Sequence, residues 1–405
     1  MTVCERAAWR PLLSDDLGRL AGRAVGEIAE SLIALPERGA LNGSLVDGDA
    51  GIALFLSYRA RAVPGSPAAD AALRHLDRAI AAVASSRMSP ELYSGFAGVA
   101  WTVEHLRDED LNEAVDTAIE SAIPGRRSFE LISGLTGLGV YALERLPRPG
   151  AARILEQVVR RLSELAERAP DGITWRTEPE PPAEPYTNLG VAHGVAGTIG
   201  FLGRVCAAGI CGRQARELLD GAVRGLLARR VTRDGGPDFP AWVSPTESYP
   251  AHRPAWCHGN PGIAVALLVA ARSVDEERWE QDALELALAC AERGARGSGV
   301  SDASLCHGSA GNGHLFNRLF QATGDARFHD AAVVWFEHAL ASRDPSAGLA
   351  GFATLAPDAS GRGVREGRPG FLTGISGIGL ALLAATTEIE PEWDRAILAS
   401  LPRRG

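Results

Sequence analysis

Positive charge is not in excess in this chain: 41 Lys and Arg stand against 50 Asp and Glu, for a formal charge of −9. That balance excludes a nucleic-acid binder held by phosphate contacts and gives no attraction to anionic membrane surfaces. No apolar run approaches the roughly 18 residues that a membrane span needs. The start, Met1-Thr2-Val3-Cys4-Glu5-Arg6, leads into polar sequence and not into the apolar core of a signal peptide. The 6 cysteines therefore read as reduced thiols or ligands, not as a disulfide framework. Sustained period-two alternation, the mark of half-buried strands, is also lacking. The expectation is a soluble, cytoplasmic, helical protein, with ample core in its 46% hydrophobic content.

What is present is a repeat. Gly48-Asp49-Ala50-Gly51, Gly95-Phe96-Ala97-Gly98, Gly134-Leu135-Thr136-Gly137, Gly194-Val195-Ala196-Gly197, Gly259-Asn260-Pro261-Gly262, Gly308-Ser309-Ala310-Gly311 and Gly374-Ile375-Ser376-Gly377 share one frame. An apolar stretch follows each, and a helix apolar on every face must be enclosed. Between them lie amphipathic stretches such as Ala151–Arg168, where Ile154, Val158, Leu162 and Leu165 form one helical stripe. The others are Asp16–Leu35, Ala68–Ser85, Leu111–Ile123, Arg213–Val231, Arg278–Arg293 and Asp325–Ser342. Polar-backed helices outside and enclosed helices inside predict an all-α toroid. A chain of 405 residues often makes two or three domains. A closed repeat can grow as one body, so 1–405 reads as a single domain. Long loops at Pro170–Pro185, Arg233–Pro254 and Asp344–Gly370 mark the expected binding face. At the turns, glycine is expected to serve a positive φ or a close backbone approach.

The chemistry sits just before the glycines. One residue before the first Gly of each unit stand Asp47, Ser94, Ser133, His193, His258, His307 and Thr373; two before stand Cys257 and Cys306, in adjacent units. A closed ring would gather these at one mouth. Cys257, Cys306 and His307 make a zinc shell of thiolate and imidazole, with a fourth position open as in catalytic sites. The plainer reading makes both cysteines small buried hydrophobes; their matched Cys-His-Gly turns favour ligands. His193, one unit back, is a candidate general acid or base. His258 shares the phase as a pocket-lining candidate, His252 and His314 carry less, and Cys4, Cys206, Cys211 and Cys290 lack such context. Glu130 and Asp47 lie near helix starts, where carboxylates commonly cap.

At these residues the chain resembles the lanthionine synthetase C-like family, the cyclases that close thioether rings in lanthipeptides. The resemblance runs over essentially the whole chain and includes an Arg-x-x-Trp-Cys pattern at Arg253-Pro254-Ala255-Trp256-Cys257. It implies zinc on Cys257, Cys306 and His307, and a motif histidine at His193. It further implies Arg253, Trp256 and His258 in the site and a carboxylate at Glu130, where the family commonly has Asp. His258 stands where the family often has Tyr. The implied reaction is intramolecular Michael addition of peptide Cys to dehydroalanine or dehydrobutyrine. Its substrate would be a dehydrated precursor (leader plus core), its partners a dehydratase and an exporter complex, and the chain reads as a stand-alone class I cyclase. Zinc-dependent addition of a small thiol such as glutathione to dehydrated residues is the rival activity, and a non-catalytic peptide-binding toroid the rival class. A glycoside hydrolase is disfavoured, because thiols and imidazoles stand where two facing carboxylates would be needed.

Overall fold

Striped and all-apolar segments alternate along the chain, and the structure turns that alternation into two concentric layers. It is a computed structural model that describes residues 9–36, 41–178, 184–250, 253–357 and 363–402. In chain order its helices are α1 (Asp15–Ile33), α2 (Asp49–Ala62), α3 (Ala68–Ser85), α4 (Phe96–Leu106), α5 (Glu113–Ala122), α6 (Leu135–Glu144) and α7 (Pro149–Leu165). They continue with α8 (Val195–Ala207), α9 (Gly212–Leu227), α10 (Asn260–Ser273), α11 (Glu277–Arg293), α12 (Ser309–Thr323), α13 (Ala326–Ala341) and α14 (Ile375–Thr386). Odd-numbered helices lie outside. In α7 only the stripe Ile154, Leu155, Val158, Val159 and Leu162, with Gly150 and Ala151, is buried. Even-numbered helices lie inside, and α10 is buried at every residue from Asn260 through Ala271. Each inner helix packs on the next and α14 returns to α2, which closes the ring. The all-α toroid expected from the pattern is the fold observed.

The glycines are there for crowding. Gly308 caps α12 with an extended backbone (φ −102°, ψ −175°), so no positive φ is involved. A Cβ on it would sit 2.1 Å from the Ser304 nitrogen, and one on Gly311 1.9 Å from the Leu305 oxygen. Only a residue without a side chain lets the turn fold this tightly against its helix.

These turns are stitched to one another around the rim. The N–H of Leu131 donates to Ala192 O (3.2 Å), Ala192 to Cys257 O (3.1 Å), Cys257 to Cys306 O (3.2 Å) and Cys306 to Leu372 O (2.9 Å). Phe371 donates to Val46 O (2.8 Å) and Val46 to Tyr93 O (2.9 Å). Backbone hydrogen bonds thus bring the pre-glycine residues of neighbouring units side by side. Within the ring lies a short 3₁₀ segment, Glu392–Ile397. Its Asp394 accepts from Arg318 (2.6 Å) and contacts His314 (2.8 Å) on α12, while Arg395 donates to Glu144 (3.0 Å) on α6. A charged plug bridging opposite sides of the ring has no signature in helical periodicity.

The long loops carry nine short strands among the described residues. β1 (Glu167–Ala169) pairs with β2 (Gly172–Thr174), β4 (Val231–Arg233) with β5 (Gly236–Asp238), and β8 (Thr354–Pro357) with β9 (Gly363–Glu366). β3 (Thr187–Asn188), β6 (Pro240–Val243) and β7 (Ser248–Pro250) form one antiparallel sheet. At two to four residues each, they are too short for a period of two to register. No helix of the described residues is long and apolar enough to cross a membrane.

Candidate metal centre

Cys257 lies in the turn before α10 and Cys306 and His307 in the turn before α12, the two turns joined by the Cys257–Cys306 backbone hydrogen bond. Their ligand atoms all lie within 4.8 Å of one another. Cys257 is buried, while Cys306 and His307 keep partial access to solvent. Cys257 is held well below the usual thiol range because Cys306 hydrogen-bonds to it, and Cys306 is pushed up by the same bond and by burial. His307 is driven up to about 9; burial alone would lower it, but Asp302 and Cys257 hold the charged form. Its Nε2 lies 3.5 Å from Asp302 Oδ2. Burial would raise Asp302, yet His307 and the Ser304 N–H bring it down to about 2. Two thiols and an imidazole brought together from two turns suit a metal ion, which would take the place of the protons that Cys306 and His307 otherwise keep.

Beside this cluster, His193 Nδ1 contacts Glu130 Oε2 at 2.7 Å. Glu130 is itself pinned: Ser133 donates to it through N–H (2.7 Å) and Oγ (2.8 Å), and Ile132 through N–H (3.0 Å). The extra methylene relative to Asp does not prevent contact, because the turn folds back around the carboxylate. Burial would push Glu130 up, but the hydrogen bond from His193 keeps it below its ordinary value, and Glu130 in turn raises His193. The His193 side chain remains 47% exposed, so one ring edge faces open space. His258 stacks on it with ring centroids 5.5 Å apart and is held below the imidazole range by burial.

The other candidates separate. Arg253 lines the cavity shared by Cys257 and His258 and has no hydrogen bond or ion pair among the described residues. Trp256 is buried, and its indole N–H donates to Ile397 O of the plug (2.8 Å). His314 is fully buried on Asp394, in the ring and not at the rim. Burial raises Cys206 and Cys211, and it pushes Cys290 up to about 12. Cys4 and His252 lie outside the described residues.

Two contacts went unread in the sequence: Asp302 on His307, and Asn188 Nδ2 at 3.5 Å from His258 Nδ1. A signal existed. Asn42, Asn188 and Asp302 occupy the same place in their units, and each side chain accepts a backbone N–H two residues on, from Ser44, Gly190 and Ser304. A turn-forming Asx repeated in phase with the glycines marks rim positions.

Ring and rim together define a class: a closed double ring of helices whose unit-opening turns gather a Cys-Cys-His cluster fit for a metal, with a carboxylate-held histidine beside it. Residues 39–398 match the lanthionine synthetase C-like protein model, and the chain belongs to that family. It is 24% identical over 220 residues to "Glutathione S-transferase LANCL1" of Danio rerio, covering 50% of this chain and 49% of that protein. It is 23% identical over 267 residues to "Nisin biosynthesis protein NisC" of Lactococcus lactis subsp. lactis, covering 55% of this chain and 60% of that one. The chain thus aligns with about half of these relatives' length. A solved structure, "Nisin cyclase", superposes with a TM-score of 0.75 at 19% identity, over 95% of this chain and 98% of its own, and shows the same fold.

Proposed function

We propose that the chain, as one domain over 1–405, is a zinc-dependent cyclase that joins peptide cysteines to dehydroalanine or dehydrobutyrine as (methyl)lanthionine rings. The observation that carries this is the gathering of Cys257, Cys306 and His307 within 4.8 Å in a chain of this family. The donor set suits zinc, and three protein ligands leave a position open. When bound, zinc would supply the positive charge that makes a nearby thiol a thiolate at neutral pH. Asp302 would fix the ring of His307. Asp302→Asn is expected to weaken zinc binding by about ten- to a hundredfold, the usual effect of losing such a partner. Competition with a chelator measures it; unchanged affinity would remove Asp302 from the site.

In the reaction, the substrate thiol gives up its proton to solvent, its sulfur bonds to Cβ, the double-bond pair moves toward the carbonyl as an enolate, and a proton is added at Cα. Arg253, which lines the same cavity as Cys257 and His258, would stabilise the enolate oxygen. His193, with Nδ1 held by Glu130, would present its other nitrogen and deliver the Cα proton as imidazolium. His258 would keep that ring aligned by stacking. Trp256, its N–H engaged by the plug, would form the floor behind Cys257. The setting proposed is the cytoplasm, with precursor supplied by a dehydratase and passed to an exporter complex.

The likeness to the zebrafish protein favours a second reading, addition of glutathione to dehydrated residues by the same donors. One experiment separates them: zinc-loaded protein is incubated with a dehydrated, cysteine-containing peptide and glutathione, then alkylated and weighed by mass spectrometry. Loss of the alkylatable thiol at unchanged peptide mass is expected for cyclisation. Gain of a glutathione mass supports the second reading, and neither change overturns both.

A further inference from the structure

The loop sheet carries a feature that the metal and proton chemistry leave unused. Trp242 of β6 stacks on Tyr249 of β7 (centroids 4.7 Å, planes 12° apart), and Tyr186, just before β3, lies 5.3 Å from Trp242. The three rings line a cavity of about 410 Å³ that Cys257, His258 and Arg253 also line. We propose that this aromatic shelf is the subsite that grips an uncharged, apolar side chain next to the reacting cysteine of the peptide. The inference rests on the peptide-cyclase reading above.

Four observations carry it. The cavity is continuous with the candidate metal centre, since Cys257 and His258 line it. Arg253 is the one Lys or Arg among its described lining residues and no Asp or Glu is among them, so a cationic neighbour on the peptide would find no carboxylate partner there. The stack is not a core: Tyr249 is 46% exposed, and Trp242 and Tyr249 both line the cavity. Finally, the shelf is held in register with the chemistry. Trp242 pairs with Asn188, and Asn188 touches His258. A side chain seated on Trp242 would set where its own backbone runs past the rim, and hence which sulfur reaches Cys257 and Cys306. Flat aromatic rings suit this task because they offer large apolar area at small cost in side-chain entropy.

Binding can be read without turnover. Zinc-loaded protein is titrated into a short fluorescein-labelled peptide with Phe beside Cys and alanine at the dehydrated position, and into its counterpart with Ser in place of Phe. Anisotropy should show the Phe peptide binding about ten- to a hundredfold more tightly, the value of burying one large apolar side chain. Trp242→Ala and Tyr249→Ala should bring the two peptides close together, without loss of zinc. Tyr249 is exposed enough that its replacement leaves the fold intact, which keeps the test open if Trp242→Ala unfolds. Equal binding of both peptides to the unaltered protein, or an unchanged preference in Tyr249→Ala, would overturn the shelf. Preference without ring closure on the dehydrated peptide would support the shelf and sink the cyclase reading; ring closure without preference would sink the shelf alone.

Discussion

Cys306→Ala is expected to strip the metal from the protein and bring ring closure down to the level of the unassisted reaction. Cys306 is one of the three proposed donors, and it also hydrogen-bonds to Cys257, so its removal leaves Cys257 and His307 as an incomplete pair. Without metal, a substrate thiol of ordinary pKa is only a few per cent thiolate at pH 7. The nucleophile population then falls by about thirtyfold from this cause alone, and the positioning of the sulfur is lost as well. The fold should survive, because α12 is held by α10 and α14 in the ring and by α13 outside it. Metal analysis, circular dichroism and the alkylation assay on the same sample check all three statements. Full metal retention in Cys306→Ala would sink the ligand assignment, and a collapsed fold would mean that the cluster is structural.

His193→Asn should keep its metal and yet close rings about a hundred- to ten-thousandfold more slowly, the usual loss when a general acid or base is removed. The pH profile gives a second handle. Glu130 raises the His193 pKa above the ordinary 6.5, so the imidazolium persists to higher pH and disappears as pH rises through the raised value. If that imidazolium supplies the Cα proton, activity falls on the alkaline side. Glu130→Gln should move that fall to lower pH, with a smaller loss at the optimum. A profile left in place by Glu130→Gln, or a wild-type rate in His193→Asn, would reduce the pair to packing.

Much of this was legible because it is local. An apolar segment after each Gly-x-x-Gly, and a striped one before the next, specify inner and outer helices wherever they stand in the chain, since burial follows the 3.6-residue period. The stripe read from Ile154 to Leu165 lies within α7. The phase of Cys257 and Cys306 was equally readable, because position within a repeat becomes position around a ring. The glycines were half-read: the requirement for them was plain, but only the folded turn shows that crowding against Leu305 O and Ser304 N is the reason.

Architecture, and the rim on which the chemistry would gather, are written in repeat, period and phase, all properties of short segments. Which rim groups touch depends on the closed ring. It put His307 with the two cysteines, folded the turn so that Glu130 reaches His193, set Asp302 behind His307 and turned Trp256 toward the plug. It also assembled the aromatic shelf from strands too short to leave a pattern. Such contacts join residues in different units. They depend on how the ring closes and on side-chain direction to within about an ångström, neither of which is encoded in any one segment.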